Sequence, residues 1–541
     1  MCSSDLAGER SGGRPCRLLR HRLEPPNSEQ RGKILLPLLA DHYGAVLERG
    51  ELRLQFDREH GEFSLTYWQH RLPIDPAAYP RIVEPHLERL ALLQAESGET
   101  CSELQTLMGA FSRLPTRCER DAAAVAARRR DKEVFKRQLA GLCAASPAIL
   151  NHIETNVAEL NGHPGDGASY DGLHALIQAQ AYRLAYWRVA SDEINYRRFF
   201  DINDLAALRM EDPGVFADTH RFVLGLLAEG KVEGLRIDHP DGLYDPGAYF
   251  RRLQEAVAGR ALGCDDPLPL YLVIEKILAD HEQLPADWPI HGATGYRFAN
   301  LANALFVDTA SERRLTRIYN DFIGGGEDFD ALVHRAKKLI MGTSLSSELN
   351  VLANRLARIA ALDRHTCDYT LSGLRKALAE VVACFPVYRT YVGPAGASGD
   401  DRRHIAWAVG IAKKRSPAAD IGILDFVEGV LTTDIAAGHD EDYRAAVTAF
   451  AMKFQQFSAP VMAKGLEDTS FYRHHRLVSL NDVGGEPRRF GVSVAAYHAA
   501  TRARAQRWPH NLLATSTHDS KRSEDVRARI GVLSQVPSLW T

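Results

Sequence analysis

GLRIDHPDGLYDP, residues 234–246, sets Arg236, Asp238, His239, Asp241 and Asp245 within ten positions, just past the almost wholly apolar run Phe222–Leu227. Pro240, Gly242 and Pro246 fix the exit of the stretch. KVEGLRI (231–237) is short and β-prone, so the charge falls at the end of a predicted strand. The same grammar recurs downstream. YLVIEK (271–276) presents Glu275 after four apolar or aromatic residues, and LLATSTHD (512–519) presents His518 and Asp519. From about residue 190, the β-prone segments KVEGLRI, LYLVIE, CFPVYRTYV (384–392) and NLLATST (511–517) alternate with helical stretches such as ELNVLANRLARIAAL (348–362). Strands alternating with helices predict an α/β fold with a parallel sheet. Charge at the strand ends then lines the carboxyl edge, where α/β barrels keep their sites.

Upstream, three further stretches are read. Residues 1–32 are rich in Arg, Gly, Ser and Pro and read as a disordered or artefactual leader. Residues 33–80 are a mixed α/β segment. KILLPLLADHYGAVLERGEL reads as an apolar segment and then a helix, and LRLQFDREHGEFSLTYW as a hairpin around His60-Gly61. Residues 81–190 form a helical region, typified by the alanine-rich, charge-interleaved ERDAAAVAARRRDKEVFKRQLAGL (119–142). Its Arg128-Arg129-Arg130 run reads as a solvated helix face, because acids flank it and no aromatic residues interleave for base stacking.

Bulk properties narrow the class. At 541 residues the chain exceeds one simple core, and 45% apolar with 25% charged residues is a globular composition. A net charge of −3 gives no sequence-wide attraction to a polyanion, so no nucleic-acid partner is expected. No apolar run approaches the roughly 20 residues of a membrane span, and the start lacks the apolar core of a secretory signal. The eight cysteines show no metal-ligand spacing and suit a reducing, cytoplasmic compartment; a monomer is also expected. GGG at 324–326 lacks the partners of a phosphate loop, and HDEDY at 439–443 reads as an acidic helix start. No metal and no cofactor are assigned.

Three acids on one predicted edge point to acid–base and nucleophilic chemistry. Arg236 lies two residues before Asp238 and so on the same strand face. A guanidinium there favours the ionised carboxylate that a nucleophile needs. An apolar setting raises a carboxyl pKa, as a general acid requires, which suits Glu275. Two carboxylates held in different protonation states are the chemistry of glycosidic bonds.

GLRIDHPDGLYDP, VIEKIL (273–278) and STHDSKRSEDVRARI (516–530) resemble the strand-end motifs of the α-amylase clan of glycoside hydrolases. More narrowly, four longer stretches, 181–213, 284–303, 383–392 and 461–487, resemble the maltooligosyltrehalose synthase family. The resemblance runs from about Lys33 to the C-terminus. It implies a partial (β/α)8 TIM barrel of the α-amylase type with a large inserted helical region, residues 191–541 holding the second part of the barrel. It implies a retaining intramolecular transglucosylase that turns the reducing-end α-1,4 bond of a maltooligosaccharide into an α,α-1,1 bond. Carried over by motif, Asp238 is the nucleophile, Glu275 the acid and base, and Asp519 the third acid on the sugar hydroxyls. Arg236, His239 and His518 are substrate-side residues, and Trp288, His291 and Tyr296 are candidates for a lid over the released glucose. The clan's early D-x-x-x-N-H motif has no counterpart upstream of Asp238, and the chain stops soon after Asp519, so a fragment is expected. A hydrolase of the same clan and a non-catalytic glucan-binding fragment are the competing readings.

Overall fold

Residues 32–93, 98–117, 119, 121–263, 266–326, 328–416 and 421–540 are described by a computed structural model. The predicted leader lies outside them, apart from Gly32. The chain forms two compact units, up to Arg209 and from Met210 onward.

In the first unit the apolar run after Lys33 is a strand, β1 (Ile34–Leu39), followed by the short helix α1 (Tyr43–Glu48). The predicted hairpin forms as β2 (Arg53–Asp57) and β3 (Glu62–Tyr67), paired from Arg53↔Thr66 to Asp57↔Glu62, with β4 (His70–Pro73) added antiparallel. Leu54, Phe63, Leu65 and Leu72 turn into the core. The alanine-rich stretch is helix α2 (Ala122–Ala145), started by the Asp121 carboxylate accepting from the Ala124 N–H. Ser146 caps α3 (Pro147–Leu160), with Pro147 in the first turn. Arg128 is spent inside the unit, donating to the Pro115 carbonyl and to buried Asp75, each at 2.6 Å. β5 (Tyr182–Tyr186) pairs parallel with β1, and β6 (Arg198–Phe199) with β7 (Ile202–Ala206) antiparallel.

In the second unit the run Phe222–Leu227 belongs to helix α4 (Pro213–Ala228), capped by Asp212. It leads into β8 (Gly234–Ile237); α5 (Pro246–Ala258), β9 (Tyr271–Ile274), β10 (Gly292–Ala293) and α6 (Tyr296–Leu305) follow. The three strands form one parallel sheet in the order β10-β9-β8. Helices α7 (Phe329–Gly342), α8 (Ser346–Ala360), α9 (Leu371–Ala383), α10 (Gly399–Arg415), α11 (Ile421–Thr432) and α12 (Glu441–Met462) bury a second core around Leu352, Leu378, Val427 and Phe454. HDEDY opens α12, with Asp440 accepting from the Tyr443 N–H, and Gly324 ends the helix Glu312–Ile323. No described helix is long and apolar enough to cross a membrane.

Two predicted strands do not form. CFPVYRTYV is buried coil whose backbone is satisfied by side chains of neighbouring helices. Gln455 accepts from the Val392 N–H and donates back to its carbonyl, and Asp401 accepts from the Tyr391 N–H. With those groups taken, no strand partner is needed. NLLATST lies against β10 but makes a single ladder bond, Leu512 N–H to the Ala293 carbonyl at 3.1 Å. The described residues therefore give a mixed helical and sheet fold with a short parallel sheet, not a closed barrel.

Candidate active site

The register of the sheet brings the acids together. Ile237 pairs with Ile274, and Ile274 with Ala293, so Asp238, Glu275 and Thr294 leave the sheet side by side at its carboxyl edge. The ladder continues one step, with the Glu275 N–H donating to the Ile237 carbonyl at 2.9 Å and Thr294 N–H to Ile274 at 3.1 Å. Asp519 reaches the same edge because glycines let its segment close in. A Cβ on Gly292 would meet Asn511 at 2.8 Å, and one on Gly295, at φ +103°, would lie 2.7 Å from the Ala514 nitrogen. Gly295→Ala is expected to cost about 1–3 kcal/mol through backbone strain and to loosen the segment that carries Asp519. A urea melt checks this.

Each acid has its own partners. The Arg236 guanidinium donates to Asp238 at 2.7 Å. Asp238 is itself open, its side chain 58% exposed. The Glu275 carboxylate accepts the His239 N–H at 2.6 Å. His239 sits at φ +46°, a left-handed conformation costly for a non-glycine residue. Its ring lies over Gly242, where a Cβ would be 2.4 Å away, so the glycine in the exit turn is needed for this approach. Burial pushes the Glu275 carboxyl up to about 7; the His239 bond opposes this, the charge of Asp238 adds to it, Arg236 opposes it, and Asp519 adds to it. Tyr296 donates to Asp519 at 3.0 Å, and burial pushes its phenol up to about 12. His518 lies 3.1 Å from Asp519. Pro240 and Gly242 shape the exit turn, and Asp245 caps α5 by accepting from Ala248.

A raised carboxyl makes a signed prediction. The folded chain binds the Glu275 proton more tightly than the unfolded chain does, so stability is lost as pH rises from about 4.5 through about 7. Glu275→Gln removes that loss. It is expected to stabilise the chain at pH 8 by about 1–3 kcal/mol and to have little effect below pH 4.5. Melts at the two pH values check it.

Arg236, Asp238, His239, Glu275, Tyr296, His518 and Asp519 thus gather at one edge. Trp288 and His291 do not join them. Trp288 is 7% exposed and packs edge-on against Phe250 and Tyr391 at 5.1 and 4.7 Å, a core position under the sheet. His291 precedes β10 and bonds both ways with Leu272, three residues short of the carboxyl edge, its ring against Tyr271 and His510. These are corrections to the lid expectation. Both residues follow Glu275 closely in sequence, but the chain returns through the core before it reaches the edge again.

Other groups beside the site were not anticipated. Lys276, fully buried, bridges Asp241 at 3.1 Å and Glu282 at 2.9 Å, and Tyr391 donates to Asp241 at 2.5 Å. Arg389, also buried, donates to the carbonyls of Asp241 and Leu243. Tyr388 donates to Glu467, whose carboxyl burial pushes up to about 7. A cavity of about 430 Å³ begins at Ile277 and is lined by Tyr388, Glu467 and Gly484. No local sequence pattern announces these pairings, whose members come from separate stretches of the chain. A larger cavity, about 750 Å³, lies elsewhere in the unit between α5 and α12, and none of the three acids lines either cavity.

A near-neutral carboxyl beside a second, guanidinium-held carboxylate at the carboxyl edge of a parallel sheet is the arrangement used in glycosidic-bond chemistry. Comparison with known proteins points the same way. The chain is 36% identical over 378 residues to a Mycobacterium tuberculosis protein assigned as a maltooligosyl trehalose synthase, the same in two strains, over 70% of this chain and 44% of that one. The solved maltooligosyltrehalose synthase of Arthrobacter ramosus matches with a TM-score of 0.67 at 30% identity, covering 99% of this chain and 52% of that one. DSM5389 glycosyltrehalose synthase matches with a TM-score of 0.60 at 26% identity, covering 99% and 53%. No family model matches. The chain is thus similar to maltooligosyltrehalose synthases, and it spans 44% of the curated relatives it matches.

Proposed function

We propose that the chain carries the acid–base and nucleophile set of a retaining intramolecular transglucosylase acting on maltooligosaccharides, in trehalose biosynthesis. The observation that carries this reading is the flush exit of Asp238 and Glu275, bonded through the His239 N–H, with Glu275 at about 7. Residues 191–541 are proposed as part of an α-amylase-type (β/α)8 barrel, preceded by a mixed segment (33–80) and an inserted helical region (81–190). A cytoplasmic, monomeric enzyme without cofactor is the matching setting.

In this reading Asp238 attacks the anomeric carbon next to the reducing-end glucose as Glu275 protonates the departing glycosidic oxygen. A glycosyl ester on Asp238 and a free glucose result. The glucose turns, Glu275 takes the proton from its anomeric hydroxyl, and that oxygen displaces Asp238 to give the α,α-1,1 bond. Two inversions retain the configuration. Asp519, steadied by Tyr296 and His518, is placed to hold sugar hydroxyls. Arg236 holds the Asp238 carboxylate in place through a 2.7 Å hydrogen bond. Activity should fall as pH rises through about 7, because Glu275 must carry its proton to act as acid.

A second reading, hydrolysis by the same acids, is favoured by the exposure of Asp238, since transfer to glucose requires that water be excluded. Incubation with maltopentaose decides between them. Transglucosylation lowers reducing sugar and yields a non-reducing product, whereas hydrolysis raises reducing sugar. Unchanged substrate would overturn both and leave a binding fragment.

A further inference from the structure

His334 of α7 and Cys384, at the end of α9, line the 430 Å³ cavity, and the His334 ring meets Glu380 of α9. Glu380 and Cys384 are four residues apart and so share one helix face. Their ligating atoms and the His334 ring nitrogen all lie within 4.8 Å of one another, the one such group of His, Cys, Asp and Glu among the described residues. We infer that His334, Glu380 and Cys384 form a binding site for a zinc-class divalent cation that ties α7 to α9.

The donor set and its spacing carry the assignment. An imidazole, a carboxylate and a thiol together select zinc-class ions over magnesium or calcium, which take oxygen ligands. Bond lengths of about 2.0–2.3 Å put the ligands of a tetrahedral zinc about 3.3–3.8 Å apart. The Cys384 sulfur and Glu380 Oε1 are 3.9 Å apart, close to that spacing. The His334–Glu380 pair, at 2.6 Å, has to open by about 0.7 Å to reach that tetrahedral spacing. All three residues are largely buried, and the cavity lined by His334 and Cys384 leaves room for a fourth ligand such as water. Lys338 donates to the other Glu380 oxygen at 2.9 Å, which fixes the carboxylate and leaves Oε1 for the metal. The adverse feature is cationic. Lys337 donates to the Phe385 carbonyl one residue beyond Cys384, and with Lys338 it opposes a dication. Without an ion, His334 and Lys338 satisfy Glu380 between them. A bound metal displaces the His334 bond of that arrangement, and the site is independent of the proposed activity.

The test is titration of the reduced full chain with Co²⁺, followed by competition with Zn²⁺. A single Co²⁺ per chain with a thiolate-to-cobalt charge-transfer band, displaced by Zn²⁺, is expected. Cys384→Ser should abolish the band and weaken Zn²⁺ binding by at least about tenfold, while Cys367→Ser, which alters an exposed cysteine outside the group, should leave both unchanged. Circular dichroism checks that each variant is folded, and His334→Gln serves if Cys384→Ser is not. No thiolate band in the wild-type chain, or a band that survives Cys384→Ser or His334→Gln, would overturn the site.

Discussion

Under the proposed transglucosylase function, Asp238→Asn is expected to lower turnover of maltooligosaccharides by at least about 10⁴-fold, with substrate affinity changed far less. The side chain keeps its shape and can still meet Arg236, but an amide oxygen cannot form the glycosyl ester. Arg236→Met should act through the same carboxylate and more weakly, because it removes the 2.7 Å bond and not the proposed nucleophile. Steady-state kinetics on the pair separate the roles. If Asp238→Asn kept more than a tenth of the activity, Asp238 would not be the nucleophile.

The second large effect concerns stability. Lys276 directly follows Glu275, and its ammonium is buried between Asp241 and Glu282, with the rings of Tyr388 and Tyr391 at 5.4 and 5.9 Å. Burial alone lowers a lysine pKa, yet the two carboxylates hold this one above its ordinary value. Lys276→Met strands two buried carboxylates, which should cost about 3–5 kcal/mol. Replacing all three, with Asp241→Asn and Glu282→Gln added, should recover most of that loss, since no unpaired charge then remains. Urea melts of the single and triple variants provide the check. A single variant within about 1 kcal/mol of the wild type would mean that water reaches the pair.

Much of this site was legible because the apolar runs before Asp238 and Glu275 are short and end in charge. Parallel pairing then places both residues at one edge without knowledge of the rest of the chain. Asp519 was legible by the same grammar although its segment forms only one ladder bond; Gly292 and Gly295, not strand pairing, let it approach. The buried charges were not legible. Lys276 meets Asp241 and Tyr391 from separate stretches of chain, and no local pattern announces such a pairing. CFPVYRTYV misled for a related reason: its composition is that of a strand, but Gln455, 63 residues away, takes both hydrogen-bonding groups of Val392. The expectation for Trp288 and His291 relied on closeness in sequence to Glu275, which the path of the chain through the core does not preserve.

The most direct test of the nucleophile assignment is mass spectrometry of the chain after incubation with a 5-fluoro-α-glucosyl fluoride, which forms the glycosyl ester faster than it is released. The assignment predicts a mass increase of one fluoroglucosyl group, carried by the peptide that contains residues 234–246 and located on Asp238. An unmodified chain, or a label on Glu275 or Asp519, would contradict it.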